Sequence, residues 1–498
     1  MIGKTRPRAD DVKNSSARRT QGRNAPMVSH KNLIFALVIM AVFLDVMDFS
    51  VVNVALATIR AQFGTSLADV QWIIGAYGLT MAGLLMLSGR AGDIYGQKKL
   101  FISGVVLFTI SSLVAGFSSS LLMLVILRGI QGVGAAISSV TAFSIFIMLF
   151  PEGRDRNKAM GVFMAVLSAG FAAGALAGGF LTAFLGWRSV FFINVPIGIV
   201  VAIMINRFLP ESQGRAAGKQ LDLPGAVTIT AGLMLLVYAL TAASSGDLAS
   251  LQVLAPLALS LIILAAFFYI ESRSASPLVP ISFLRRGAIL NANAAGLIVA
   301  AASGGLGVLI TVFMQQNLGF SPFYAGLGFL PPALIFFIIG GWGLNPIMDW
   351  LRAKRALMAS MVLIALGVAL LIPISVQGGY FGILPGTVLW ALGASIAFPA
   401  LSIAAISGTK RGEEGLASGV ITTSQRIGFP LGLALMVAVS AATAQTGSAA
   451  SSVAGFRNAF ILGEVLAIAA ILLVLKMKIR HVKPMGGISE EFAEAALP

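Results

Sequence analysis

Residues 33–56, which read LIFALVIMAVFLDVMDFSVVNVAL, constrain the fold of this chain more than any other segment. The segment is long enough to cross a bilayer as a helix, which takes about 20 apolar residues. It nevertheless carries two acids, Asp45 and Asp48, well inside the apolar run, where a charge costs on the order of 3 kcal/mol or more. Residues at i and i+3 share one helix face. That face should therefore contact protein or a water-filled cavity, not lipid.

Apolar runs of similar length recur along the 498 residues, of which 57% are hydrophobic and only 11% are charged. Soluble domains contain about a quarter charged residues, whereas long apolar runs without alternation are typical of membrane helices. We therefore predict an all-α membrane protein with fourteen spans, and we expect the lipid bilayer to be its surroundings.

The basic residues are divided unevenly between the two predicted sides of the membrane. Of the 34 Lys and Arg residues, only Arg60, Arg188 and Arg457 fall in the predicted outer loops. Loops rich in Lys and Arg stay in the cytoplasm, so we predict that both termini are cytoplasmic and that the protein lies in the bacterial cytoplasmic (inner) membrane. This placement also accounts for the net charge of +15 without a nucleic-acid partner.

Weak internal repeats indicate the domain organisation. The loops at 89–99 (GRAGDIYGQKK) and 345–355 (NPIMDWLRAKR) each place an Asp shortly before a basic cluster, and glycines recur every four residues in spans 5 and 13. These matches predict two six-helix bundles separated by two extra helices. The predicted parts are a basic tail at 1–32 that we expect to be disordered, bundles at 33–210 and 289–480, an inserted pair at 211–288, and a tail at 481–498.

Composition excludes several kinds of chemistry. The chain has no cysteine, so it has no disulfide and no thiolate metal site. Its two histidines, His30 and His481, lie outside the apolar runs, so proton transfer within the membrane must use Asp or Glu. No G-x-x-x-x-G-K-[ST] phosphate loop occurs. We therefore expect no ATP hydrolysis and no metal or cofactor, and any transport must run on an ion gradient or on the substrate gradient.

Four motifs lie in or beside the spans of the first half of the chain: residues 89–99, LDVMDFSVVNVAL at 44–56, LRGIQGVGAA at 127–136 and GWRSVFFINVPIG at 186–198. Together they resemble the major facilitator superfamily, and more closely its fourteen-helix drug:proton antiporter branch, with Asp48 at the acidic position of the first-helix motif. The resemblance implies a major-facilitator fold of two six-helix bundles plus two extra central helices. It also implies alternating access and export of small-molecule drugs with the proton as coupling ion. We expect such a transporter to act as a monomer.

The resemblance further implies that residues 89–99 form a cytoplasmic gate latch. Glycines at these places permit close helix approach and a tight turn, and Asp93 can accept hydrogen bonds or pair with a basic partner. A loop whose charges only set the topology is the alternative. The second-half copy has Asn345 and Arg352 where the first has glycine, so we expect no equivalent latch there. The candidate latch residues are Gly89, Arg90, Gly92, Asp93, Gly96, Lys98 and Lys99.

Arg128 in span 4 and Arg426 in span 13 lie inside apolar runs, where an arginine needs a carboxylate or carbonyl partner. Counting about 1.5 Å per residue places Arg128 at a depth similar to that of Asp45. We therefore predict that Arg128 pairs with Asp45, with backbone carbonyls as the alternative partners. This leaves Asp48 as the more titratable acid. Arg426 and Gln131 are secondary candidates.

A buried carboxylate that faces the two sides in turn can bind a proton outside and release it inside, and a cationic substrate can compete for it. We assign this role to Asp48, with Asp45 second; Asp45 could instead be a protonated packing residue. In span 5, Ala175 stands where the antiporter motif has proline. The small residues there permit close helix packing, with or without a role in antiport: Gly170, Gly174, Gly178 and Gly179.

The favoured function is proton-coupled export of amphipathic organic compounds. An exporter of an endogenous metabolite or lipid would have the same fold and stays open. A membrane enzyme that uses Asp45 and Asp48 with a metal is disfavoured, because no third ligand cluster is evident. A receptor or scaffold is a further alternative.

Overall fold

The computed structural model describes residues 30–150, 153–211, 221–243, 249–274, 277–409, 413–443 and 449–477. Of the two predicted tails, only residues 30–32 fall within these ranges.

Fourteen helices of the described chain are long and apolar enough to cross a membrane. The predicted number of spans and the all-α class are therefore confirmed, and the protein is a multi-pass membrane protein. In chain order the helices are α1 Lys31–Phe63, α2 Leu67–Tyr95, α3 Gln97–Gly116, α4 Leu121–Leu149, α5 Arg154–Leu185, α6 Ser189–Phe208, α7 Leu223–Ala242, α8 Leu251–Arg273, α9 Gly287–Gln316, α10 Pro322–Gly341, α11 Lys354–Leu371, α12 Gly379–Ser407, α13 Glu414–Thr443 and α14 Ser451–Lys476.

Local sequence explains several helix ends. The Ser120 hydroxyl accepts a hydrogen bond from the Met123 amide, and the Asp222 carboxylate accepts one from the Gly225 amide, so each caps the helix that follows. At the end of α1, Gly64 adopts the left-handed conformation that stops a helix (φ 63°). We call the membrane face at which α1 begins the basic face, and the other the opposite face.

Glycines let helices pack closely in both halves of the chain. In the first half, a Cβ on Gly174 would lie 2.6 Å from the Met47 carbonyl oxygen, so α5 and α1 meet backbone to backbone. In the second half, Gly428 and Gly432 of α13 lie equally close to the backbone of α9. Another pair of helices packs closely through glycines in each half. In the first half, Gly104 of α3 meets Gly134 of α4, and in the second half, Gly367 of α11 meets Gly386 of α12.

The two bundles meet along two seams, α2 with α13 and α5 with α10. Gly179 belongs to the second seam: unlike Gly170, Gly174 and Gly178, which face α1, it abuts the backbone of Pro322 in α10. On the opposite face the bundles are also joined by hydrogen bonds, from Arg60 to the Gln316 side chain (2.9 Å) and from Gln315 to the Val54 carbonyl (2.9 Å). These bonds connect the two bundles at the opposite face.

The inserted helices are central in the sequence but lie beside one seam. Helix α7 packs against both α2 and α13. A Cβ on Gly83 of α2 would overlap Thr230 of α7. The side-chain amide of Gln71 donates a hydrogen bond to the Thr241 hydroxyl (3.0 Å). Helix α8 packs on α7 and leaves large apolar side chains exposed, including Leu251, Ile262 and Tyr269. The pair therefore covers the α2–α13 seam on its lipid side.

The two repeated loops share an unusual backbone conformation. Gly96 ends α2 with φ 97° and ψ 136°, and Arg352, before α11, has φ 63° and ψ 149°. This region of conformational space favours glycine, and a residue with a Cβ is strained there by about 1–3 kcal/mol. The second-half loop therefore keeps the turn of the first without its glycine.

We expect Arg352→Gly to raise the thermal unfolding midpoint of the detergent-purified protein, because glycine removes the steric strain at φ 63°. The gain is partly offset by about 0.5–1 kcal/mol of extra chain entropy in the unfolded state. Gly96→Ala is the matched control and should lower the midpoint. A fall of similar size in both variants would contradict the strained conformation of Arg352.

Candidate functional site

Asp45 and Asp48 lie on one face of α1, and the structure buries both inside the protein. Asp48 is fully buried and Asp45 is 3% exposed. Neither therefore faces lipid, as the cost of a charge in the membrane requires.

Asp48 is held by donors from three side chains of its own bundle. The Arg128 guanidinium forms an ion pair with Asp48 Oδ2. Oδ1 accepts hydrogen bonds from Gln131 Nε2 (3.1 Å) and from Asn194 Nδ2 (2.6 Å). Asn194 also donates to the Ser112 hydroxyl (3.0 Å). The Asp48 carboxylate is therefore satisfied as an anion by donors on α4 and α6.

Arg128 is itself fully buried and tightly oriented. Its Nε donates to the Ile73 carbonyl (3.0 Å), and Nη1 also donates to Gln131 Oε1 (2.8 Å). The guanidinium lies 4.1 Å above the centre of the Tyr77 ring, which adds a cation–π contact. The carbonyl partner considered from the sequence is thus present together with the carboxylate.

The predicted pairing of Arg128 with Asp45 is wrong, because the ion pair is made with Asp48. Residues three apart in a helix differ in depth by only about 4.5 Å. A residue count from helix ends cannot resolve that difference between two different helices. The bond to the Ile73 carbonyl and the stacking on Tyr77 fix the guanidinium at the level of Asp48.

Asp45 has partners of a different kind. It accepts hydrogen bonds from the Tyr77 hydroxyl and from the Ser139 hydroxyl (3.0 Å). Across the bundle interface, Arg426 Nη2 lies 3.8 Å from Asp45 Oδ2. Arg426 is 35% exposed at its side chain and also donates to the Met81 sulfur at 2.9 Å. Asp45 therefore joins the two bundles electrostatically, whereas Asp48 does not.

Tyr77, Ser139 and Asn194 are functional candidates that sequence reasoning missed or misjudged. Tyr77 is one aromatic residue among many in the chain, and a serine in a helix gives no signal of its own. Asn194 had a recognisable signal, since it is a polar residue in the apolar FFINVPIG stretch of a matched motif. Its contact with Asp48 could not be read from the sequence because the two residues are far apart in the chain.

The candidate latch residues lie together at the basic face. Gly89 packs on Val140 of α4, Gly92 packs on Gln97, and Gly96 supplies the turn. Asp93 accepts a hydrogen bond from the Gln97 amide (3.1 Å). This bond lies within the loop itself.

The basic residues of the loop bind two neighbours. Lys98 donates to the Asn206 carbonyl at the end of α6 (2.8 Å), and both Lys98 and Lys99 lie within 4.0 Å of Glu211. Arg90 donates to the Pro277 carbonyl in the segment that follows α8 (2.6 Å). The loop is thereby joined to α6 and to the inserted pair.

Two closely packed helical bundles around two buried acids and two arginines form an arrangement typical of membrane transporters. A family model described as the Major Facilitator Superfamily matches residues 38–433. The chain belongs to the Major Facilitator Superfamily, and the predicted family is confirmed.

The names of known proteins similar to this chain refer to export or to drug resistance. The cephamycin export protein CmcT of Amycolatopsis lactamdurans is 36% identical over 449 residues, which cover 89% of this chain and 92% of CmcT. The puromycin resistance protein pur8 of Streptomyces alboniger is 32% identical over 81% of this chain and 80% of its own length. The multidrug resistance protein Stp of Mycobacterium tuberculosis is 29% identical over 81% and 74%.

A solved structure supports the fold. The human organic anion transporter MFSD10 (TETRAN) superposes with a TM-score of 0.57 at 18% identity, over 89% of this chain and 99% of that one. At this identity the likeness concerns the fold alone.

We expect Arg128→Met to lower the thermal unfolding midpoint strongly, by the equivalent of about 3–5 kcal/mol, because it leaves Asp48 as a buried unpaired charge. Adding Asp48→Asn should recover part of the loss. Adding Asp45→Asn instead should lower the midpoint further by the same amount as Asp45→Asn does alone, since Asp45 pairs with Arg426. A double-mutant cycle on purified protein measures both couplings. Recovery with Asp45→Asn but not with Asp48→Asn would contradict the pairing in the structure.

Proposed function

We propose that this protein exports amphipathic organic compounds across the cytoplasmic membrane in exchange for protons, with the basic face toward the cytoplasm. Membership of the family and the names of the relatives, which refer to cephamycin export, puromycin resistance and multidrug resistance, support the export of such cargo. The clustering of Lys and Arg at the basic face supports the orientation.

The observation that carries the proposal is the position of Asp45 between the bundles. Its partners on its own bundle are two hydroxyls, and its cationic partner Arg426 belongs to the other bundle. Movement of one bundle against the other changes the distance between Asp45 and Arg426. The charge that Asp45 experiences therefore changes with the conformation, as proton exchange requires.

Asp48 has the opposite character. All of its partners lie in the first bundle, and they satisfy it as a carboxylate. We therefore assign proton exchange to Asp45 and give Asp48 the role of fixing Arg128. This assignment reverses the order that the sequence suggested for the two acids.

The exchange follows from charge balance. In the carrier that holds neither proton nor cargo, the ion pair between Asp45 and Arg426 keeps the bundles together. A proton on Asp45, or a cationic group of the cargo bound to it, neutralises the carboxylate and releases Arg426. Proton and cargo compete for one carboxylate, so the two are carried in opposite directions.

The test uses inverted membrane vesicles with an imposed pH gradient and follows the accumulation of ethidium. We expect the native chain to accumulate the dye. Asp45→Asn should abolish gradient-driven accumulation but keep downhill movement of the dye, because the cargo path remains while the exchange site is lost. Asp48→Asn should impair both, because Arg128 loses its carboxylate partner.

Glu464→Gln is the matched control, because Glu464 is another acid in a spanning helix, α14, and is not among the partners described for Asp45 and Asp48. Accumulation that survives Asp45→Asn and is lost in Glu464→Gln would overturn the assignment. Absence of accumulation by the native chain would remove the multidrug proposal for such dyes and favour an endogenous metabolite or lipid as cargo.

A further inference from the structure

Two acids outside the central site lie at the basic-face end of the inserted pair. Asp222 precedes the first residue of α7, and Glu271 belongs to the last turn of α8. They are only 5% and 3% exposed. Neither contributes to the set formed by Asp45, Asp48, Arg128 and Arg426.

Each of these carboxylates has one satisfied oxygen and one without a donor. Asp222 Oδ1 accepts a hydrogen bond from the Gly225 amide (2.9 Å), and Glu271 Oε1 accepts one from the Val279 amide. Asp222 Oδ2 and Glu271 Oε2 are buried and have no hydrogen-bond donor within the described chain. Asp222 and Glu271 are neighbours at this end of the inserted pair and repel each other electrostatically when both are charged.

Two carboxylates in contact cannot both be ionised in a buried place without a large cost. A single proton between them removes one negative charge and gives both unsatisfied oxygens a partner. Of the charged side chains in the described ranges, those that face Glu271 are Asp222 beside α7 and Arg90 from α2. With one shared proton, the charges of the two acids and Arg90 balance.

Asp222 and Glu271 are also connected to Arg90 of the loop 89–99. The Arg90 guanidinium donates to the Pro277 carbonyl at 2.6 Å, and Val279, two residues further on, donates to Glu271. The segment 277–279 therefore links Arg90 of α2 directly to the acid pair.

We propose that Asp222 and Glu271 form a second proton-binding site, separate from the central charged residues, whose one shared proton keeps the inserted pair docked on Arg90 of the loop 89–99. Loss of this proton places two like charges in contact, so that they separate and draw Arg90 away from Pro277. The inserted helices would then transmit the pH at the basic face to α2. This last consequence rests on the proposed transport function; the site itself does not.

The first test is infrared spectroscopy of the purified full-length chain in an Asp45→Asn background, so that the acid assigned to proton exchange does not contribute. We expect a protonated-carboxyl C=O band at neutral pH that Glu271→Gln and Asp222→Asn each remove. Glu211→Gln, an exposed acid at the same face, should leave the band unchanged.

Two infrared results would overturn the proposal. One is a neutral-pH spectrum without such a band, or with a band that both variants retain. The other is a band seen in choline chloride that disappears in sodium chloride, which would make the site a monovalent-cation site. Because neither result depends on cargo movement, failure here is distinct from failure of the export proposal.

The second test measures docking and uses the absence of native cysteine. Nitroxide labels at Tyr95→Cys and Ser272→Cys, both at exposed positions, report the distance between α2 and α8 by pulsed electron resonance. We expect the distance to lengthen as the pH is raised in the native background and to stay short in Glu271→Gln, which keeps a permanent donor toward Asp222. The same pH-dependent lengthening in Glu271→Gln would overturn the proposal.

Discussion

The buried ion pair between Asp48 and Arg128 is the interaction on which the first bundle depends. Two charges taken out of water are tolerated only when they are paired and held by further hydrogen bonds. Here the requirement recruits the Ile73 carbonyl from α2, Gln131 from α4 and Asn194 from α6 around an acid of α1. One electrostatic demand therefore fixes four helices relative to one another.

Because Arg128 is held by Asp48, the neighbouring acid Asp45 has other partners. Asp45 lies on the same helix face but one turn nearer the basic face, beyond the reach of the main donor set. Its hydroxyl partners can rotate, and its cationic partner belongs to the other bundle. A rigid half and a movable half of one charged site thus arise from a three-residue separation along α1.

Helix α2 connects this site to the rest of the molecule. Its Tyr77 donates a hydrogen bond to Asp45 and stacks against Arg128, the partner of Asp48. The helix also packs on α13 of the other bundle and on α7 of the inserted pair. Its basic-face end contributes Arg90 to the inserted pair. Any rearrangement of the seam between the bundles must therefore be accommodated by the inserted helices as well, which contact both α2 and α13.

The sequence by itself determined the class of protein, the number of spans, the family and the four charged residues of the central region. Apolar runs and isolated charges are signals that the bilayer imposes directly on sequence, because lipid cannot solvate a polar group. Only the tertiary structure decided which carboxylate Arg128 binds. It also decided that Asn194 completes the site and that Asp222 meets Glu271. These contacts depend on helix rotation and on depth differences of a few ångströms between helices distant in sequence, which no residue count along a single helix can supply.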